Sequence, residues 1–209
     1  MDATALLGHI HLMPVVAIHD AAKAVPLAEC LLEAGIAAIE ITLRTEAALA
    51  AMERVARHVP GILVGAGSVR RPEQFTEIAN AGARFAISPG STDTLLAAAN
   101  MPFIPGAATA SECIRLLEHG YRMQKFFPAE SLGGVKTIRA LSAPLPEVRF
   151  CPTGGITEAL APDYLALDCV GCIGGSWFVS EALIDAGDFA QISQRAASAA
   201  ALRQLSQGS

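Results

Sequence analysis

Two ionisable side chains occupy strand-like segments that are otherwise apolar. Ile39-Glu40-Ile41-Thr42-Leu43-Arg44 alternates. With a period of two, Glu40, Thr42 and Arg44 share one face, and Ile39, Ile41 and Leu43 share the other. Met123-Gln124-Lys125-Phe126-Phe127 puts Lys125 and Phe127 on one face of a second segment. A carboxylate among apolar neighbours is costly unless it is paired or hydrogen-bonded. Lysine is among the residues least often buried. Each residue has two readings. Glu40 is either half of a structural ion pair with a neighbouring strand or a general acid/base whose pKa burial raises. Lys125 either extends its head to solvent at a strand end, or is a desolvated amine of lowered pKa that can add to a ketone and form a Schiff base. As a pair, one group would add to the carbonyl while the other moves the protons.

Paired glycines suggest a second chemistry. They occur in Pro152-Thr153-Gly154-Gly155-Ile156 and in Ile173-Gly174-Gly175-Ser176-Trp177. Glycine lets backbone N–H groups approach a ligand, and a following helix N-terminus favours an anion. The alternative is simple tight turns. Gly65-Ala66-Gly67-Ser68 and Ser88-Pro89-Gly90 are compatible with a substrate lining. The later strand ends carry no pair of carboxylates and no histidine at ligand spacing. His9 and His11 precede the first strand, and His19, His58 and His119 sit at element ends without a partner motif. No metal and no cofactor are expected. Cys169-Val170-Gly171-Cys172 is a lone C-x-x-C, read as a buried strand pair rather than a zinc or redox site. The other cysteines, Cys30, Cys113 and Cys151, are widely spaced, which argues against a disulfide framework.

These residues need elements to position them. Candidate strands are Met13–His19, Ala38–Leu43, Ile62–Gly67, Phe85–Ser88, Phe103–Gly106, Met123–Phe127, Arg149–Thr153 and Cys169–Gly174. Candidate helices follow at about Ala21–Ala34, Glu46–His58, Pro72–Ala81, Asp93–Ala99, Ser111–His119, Val135–Ser142, Glu158–Leu165 and Asp188–Leu205. Gly35, Gly82 and Gly120 each end an apolar helical run, where a left-handed residue is needed. Thr45 and Ser111 are the expected N-caps, and Pro26 belongs in a first helical turn. Eight strand–helix alternations predict an α/β fold, a single-domain (β/α)₈ barrel over residues 1–209 with a short N-terminal segment and a C-terminal helix. A doubly wound open sheet is the alternative, but no G-x-G-x-x-G follows the first strand. In a barrel, function gathers at the C-terminal strand ends, and glycine turns after strands seven and eight are a usual phosphate site.

Composition agrees. The chain has 209 residues, of which 52% are hydrophobic, 17% charged and only 5% aromatic. The apolar excess is aliphatic, as in strands covered on both sides, and it excludes a disordered chain. A mean hydropathy of +0.42 raises the question of membranes. The longest stretches without Asp, Glu, Lys or Arg are Ala3–His19 and Thr94–Ser111, both interrupted by proline and polar residues. Neither resembles a span of about 20 apolar residues. Met1-Asp2 offers no basic region of a signal peptide, so a cytoplasmic location is expected. A net charge of −5, with scattered basic residues, disfavours nucleic acid as a partner.

Six segments, taken together, resemble one family. They are Glu40-Ile41-Thr42-Leu43-Arg44-Thr45, Gly65-Ala66-Gly67-Ser68-Val69, Ile87-Ser88-Pro89-Gly90, Lys125-Phe126-Phe127-Pro128-Ala129-Glu130, Phe150-Cys151-Pro152-Thr153-Gly154-Gly155-Ile156 and Cys172-Ile173-Gly174-Gly175-Ser176-Trp177. In order, from about Met13 to Asp188, they are similar to the 2-dehydro-3-deoxy-phosphogluconate (KDPG) aldolases, class I lyases of the Entner–Doudoroff pathway. The resemblance implies a homotrimeric barrel that cleaves 2-dehydro-3-deoxy-6-phosphogluconate to pyruvate and glyceraldehyde 3-phosphate. It implies Lys125 as the Schiff-base lysine and Glu40 as the general acid/base. Arg44, Ser68 and Thr153 would hold the pyruvyl carboxylate, with Pro89 and Phe127 as pocket walls. Gly154, Gly155, Gly175 and Ser176 would hold the phosphate. Ser68 departs from the family's usual threonine, keeping the hydroxyl and losing a methyl. Gly106-Ala107-Ala108-Thr109 also differs from the usual pattern, and no function attaches to it.

Other substrates and classes remain as alternatives. One is the galactonate epimer, and another is unphosphorylated 4-hydroxy-2-oxoglutarate (KHG). A Mg²⁺-dependent phosphate-binding barrel transferase would need acidic ligands that the strand ends lack. A non-catalytic sugar-phosphate-binding barrel would have no need of a buried lysine.

Overall fold

The computed structural model describes residues 2–206, with side chains through residue 202. Eight parallel strands alternate with helices: β1 Leu12–Val16, β2 Ala38–Thr42, β3 Leu63–Gly67, β4 Phe85–Ile87, β5 Phe103–Ile104, β6 Met123–Phe126, β7 Arg149–Pro152 and β8 Ile173–Gly175. Strands β5-β4-β3-β2-β1-β8 form one ladder and β6-β7 another. Bridges Gly106–Lys125 and Thr153–Gly174 join the two ladders into a closed ring. Closure removes the edge strands that an open sheet would expose, so the (β/α)₈ expectation holds.

Among the described residues, ten α-helices surround or cap the ring: α1 Thr4–Leu7, α2 Ala24–Glu33, α3 Ala48–His58, α4 Gln74–Asn80, α5 Asp93–Ala98, α6 Ala110–Glu118, α7 Gly134–Ser142, α8 Ala161–Leu165, α9 Glu181–Ala186 and α10 Phe189–Ser206. Alternation sorts the buried residues into two groups. Ile39, Ile41, Val64, Ala86, Phe103 and Phe150 face outward into the shell against the helices. Met13, Ala38, Phe85, Ile87, Ile104, Met123, Cys151 and Cys172 fill the lumen. The N-terminal segment plugs the lumen from the bottom with Ala3, Leu7 and Ile10. Asp2 fastens that plug by accepting hydrogen bonds from the backbone N–H groups of Arg122 (3.1 Å) and Met123 (3.0 Å).

Helix endings follow the glycines: Gly35, Gly82 and Gly120 have φ of +83°, +85° and +83°. Pro26 lies in the first turn of α2. Both expected N-caps need correction. The Thr45 hydroxyl is engaged elsewhere, donating to the Ile18 carbonyl at 2.6 Å, so α3 starts later. Ser111 lies inside α6, whose cap is Thr109, two residues earlier. Thr109 and Glu112 form a reciprocal capping box, each side chain accepting from the other's backbone N–H. The expected start of the last strand at Cys169 is also too early, because pairing with β1 begins only at Ile173. Cys169 and Cys172 therefore precede β8 and are not a strand pair. Helices α1 and α9 had no counterpart in the sequence reading.

Candidate active site

The C-terminal ends of the strands surround a cavity of about 430 Å³. Glu40 enters it from β2 and Lys125 from β6. Nζ of Lys125 donates to Oε1 of Glu40 at 3.1 Å, across 85 residues of sequence. The lysine is 5% exposed and the glutamate 1%. The ion pair therefore spans the lumen rather than linking neighbouring strands. Among the described residues, Oε2 of Glu40 has no hydrogen-bond partner. That atom can accept a hydrogen bond from a bound molecule, and a buried acceptor left unpaired is costly. The Lys125 ammonium lies 5.5 Å from the Phe127 ring centroid, within cation–π range.

Space for this pair is made by glycines on the inner face. A Cβ on Gly67 would stand 2.2 Å from Oε1 of Glu40. A Cβ on Gly174 would stand 2.3 Å from Oγ1 of Thr153, and one on Gly106 would meet the Pro89 backbone at 2.4 Å.

At the rim, the Arg44 Nε donates to Oγ1 of Thr42 at 3.0 Å, and that hydroxyl donates to the Val16 carbonyl at 2.8 Å. Thr42 thus fixes the plane of the guanidinium. Glu181, the first residue of α9, lies 3.5 Å from Arg44 and 3.6 Å from His19. Gly154 and Gly155, which also line the cavity, turn with φ of +102° and +80°. Their turn is held by backbone bonds from Ala129 to Thr153 (2.8 Å) and from Glu130 to Gly154 (3.1 Å). Glu130 accepts a hydrogen bond from the buried Tyr164 hydroxyl. Burial, and then this carboxylate, push the Tyr164 phenol well above its ordinary range.

The cavity gathers every residue that the sequence reading assigned to a site. Lys125, Glu40, Arg44, Ser68, Pro89, Phe127 and Thr153 line it together with Gly154, Gly155, Gly175 and Ser176. Ser68 does so with a left-handed backbone, φ +60°. Thr42 and Glu181 were missed. Alternation already put Thr42 on the face of Glu40 and Arg44, whereas no sequence signal marked Glu181. A larger groove of about 790 Å³ lies at the other end of the strands, among His9, Glu33, Ile173 and Leu202. It contains neither Lys125 nor Glu40.

Among the described residues, no three His, Cys, Asp or Glu side chains are grouped to hold a metal ion. Likewise, no helix is long and apolar enough to cross a membrane. Cys172 donates to Cys151 at 2.9 Å, deep in the lumen. That bond and burial hold the Cys172 thiol far above its usual range, in the unreactive form.

The arrangement suits carbonyl chemistry. A buried amine has a carboxylate at hydrogen-bond distance to take its proton. Arg44 and the glycine turns line the same cavity as that pair. Known proteins share this chain's sequence and fold. The family model for KDPG and KHG aldolases matches residues 4–195. The chain is 47% identical over 198 residues to the KHG/KDPG aldolase of Escherichia coli K12, covering 93% of each. It is 46% identical over 192 residues to the 2-dehydro-3-deoxy-phosphogluconate aldolase of Dickeya dadantii, covering 90% of each. A crystal structure of the Legionella pneumophila KDPG aldolase, with pyruvate captured as a covalent carbinolamine, superposes with a TM-score of 0.91. It is 42% identical, and the match covers 95% of this chain and 98% of that one.

Proposed function

The chain belongs to the KDPG and KHG aldolase family, and from that premise we propose that it cleaves 2-dehydro-3-deoxy-6-phosphogluconate to pyruvate and glyceraldehyde 3-phosphate through a Schiff base on Lys125. The observation that carries this reading is the buried Lys125–Glu40 pair, 3.1 Å apart at the mouth of the barrel. Transfer of the lysine proton to Glu40 leaves a neutral amine, which attacks the C2 ketone. Glu40 returns the proton as the carbinolamine loses water. The protonated imine accepts the electron pair of the C3–C4 bond. As that bond breaks, Glu40 takes the C4 hydroxyl proton, the aldehyde departs and an enamine remains. Protonation at C3 and hydrolysis of the imine release pyruvate and restore the amine.

Binding follows the two ends of the cavity. Arg44, with its plane set by Thr42, holds the carboxylate in a two-bond clamp, assisted by Ser68 and Thr153. Pro89 and Phe127 wall the pyruvyl group. The turn at Gly154 and Gly155 and the segment Gly175–Ser176 hold the phosphate, fixing the scissile bond over Lys125. This phosphate site favours phosphorylated substrates over 4-hydroxy-2-oxoglutarate, and ratios of kcat/KM across these and the galactonate epimer test that preference. The family resemblance also carries a cytoplasmic homotrimer, checked by the solution mass of three 21.7 kDa chains.

The decisive experiment is borohydride reduction in the presence of pyruvate, followed by peptide mapping. The adduct is expected on Lys125. Full activity with an unlabelled Lys125 overturns the mechanism. Lys125→Arg is expected to abolish both trapping and turnover, because a guanidinium stays protonated.

A further inference from the structure

A substrate with a carboxylate at one end and a phosphate at the other poses a problem of polarity. Arg44 is a full positive charge at the cavity rim, and a phosphate carries roughly −1.5 to −2 at neutral pH, more than a carboxylate. On charge alone, Arg44 would draw the phosphate end first and seat the substrate backwards. The structure places a carboxylate at that point. Glu181 Oε1 lies 3.5 Å from the Arg44 guanidinium, and its Oε2 lies 3.6 Å from His19 Nε2. Arg44 is tied through Nε to Thr42 and so stays beside Glu181. Glu181 is also half-exposed and lines the cavity, so an incoming anion meets it.

We propose that Glu181 is a specificity-determining residue that lets Arg44 accept a carboxylate and disfavours a phosphate there, so that the substrate enters in one direction. The proposal rests on the assignment of Arg44 as the carboxylate site. Its physics is the difference between charges. At a spacing of roughly 5 Å in a water-like dielectric, each unit of negative charge on the ligand feels Glu181 as about a fourfold weakening. A phosphate is therefore penalised about fourfold more than a carboxylate for each additional charge it carries.

Pyruvate trapping by borohydride reads the carboxylate site alone, because pyruvate carries a carboxylate and no phosphate. Trapping is measured for the wild type, Glu181→Gln and Glu181→Asp, with inorganic phosphate or acetate added as competitor. Glu181→Gln is expected to lower the phosphate concentration for half-inhibition about two- to fourfold more than that for acetate. Glu181→Asp, which keeps the charge, is expected to retain the wild-type ratio. An unchanged phosphate-to-acetate ratio in Glu181→Gln overturns the proposal and leaves the aldolase reading intact. Failure of the wild type to trap pyruvate at all overturns that reading, and this one with it.

Discussion

The empty space beside Glu40 is the most exacting test of the site. Gly67→Ala adds one methyl group on the inner face of β3. Gly67 has no left-handed φ, so alanine fits the backbone there. The new Cβ would stand 2.2 Å from Oε1 of Glu40, 2.6 Å from Cγ and 2.8 Å from Cδ. Ordinary contact begins at 3.4 Å, so the carboxylate must retreat by about 1.2 Å. Glu40 is 1% exposed and cannot do this by swinging into solvent. Such a retreat displaces the oxygen that accepts from Lys125 at 3.1 Å. Displacements of about 1 Å at a reacting group cost about 10²-fold in rate, equivalent to about 2.7 kcal/mol of barrier. The assay is the steady-state release of pyruvate, coupled to lactate dehydrogenase, in Gly67→Ala, Glu40→Ala and the double variant. A fall in kcat of about 100-fold is expected in Gly67→Ala, with little further loss when it is combined with Glu40→Ala, because both changes act on one carboxylate. The reasoning fails if Gly67→Ala keeps kcat within about threefold of the wild type. It also fails if the two losses simply multiply.

Other consequences can be read from the same geometry. Ser68 carries a left-handed φ of +60°; Ser68→Gly should therefore gain about 1 kcal/mol, or roughly 2–4 °C in Tm, while raising KM through loss of the hydroxyl. Tyr164→Phe removes the donor to Glu130 behind the Gly154–Gly155 turn. It should cost about 1–3 kcal/mol and raise KM for the phosphorylated substrate more than for 4-hydroxy-2-oxoglutarate. Thr109→Ala breaks the capping box of α6 and should lower stability to urea by about 1 kcal/mol. Burial pushes the Cys113 thiol from 9.0 up to about 11. The unfolded chain therefore loses this proton first as pH rises. The stabilisation is complete below pH 9 and is lost between pH 9 and 11, at about 1.4 kcal/mol per unit. Urea unfolding of Cys113→Ala should show a shallower alkaline decline over that window than the wild type.

Much of this architecture was readable in the sequence because the barrel is built on alternation. Glu40, Thr42 and Arg44 share one face by period alone, and the eight strand segments stand out by their β-branched runs between glycines. What the pattern missed involves competition or distance. Thr45 looks like a helix cap, but the Ile18 carbonyl lies within reach of its hydroxyl, and that contact exists only once β1 and β2 are paired. Cys169-Val170-Gly171 has strand-like composition, yet it meets β7 through one bridge at Val170, and the β1 ladder reaches only Ile173. Helix α9 has six residues, too few to display an amphipathic repeat, and it carries Glu181 to the rim. The pairing of Lys125 with Glu40 joins residues far apart in the chain; periodicity sets the face of each, and only the closed ring makes them neighbours.

That ring closes through the backbone of Lys125. Its amide donates to the Pro105 carbonyl at 2.9 Å, and its carbonyl accepts from the Ala107 amide at 2.9 Å. On its other side it stands in register with Cys151. The residue that carries the amine is thus also the rivet between two sections of sheet. Any breathing of that seam moves the amine, and any ligand that immobilises the amine tightens the seam. A single hydrogen-exchange rate, that of the Lys125 amide, therefore reports how often the barrel opens at its joint and how firmly its reactive nitrogen is held.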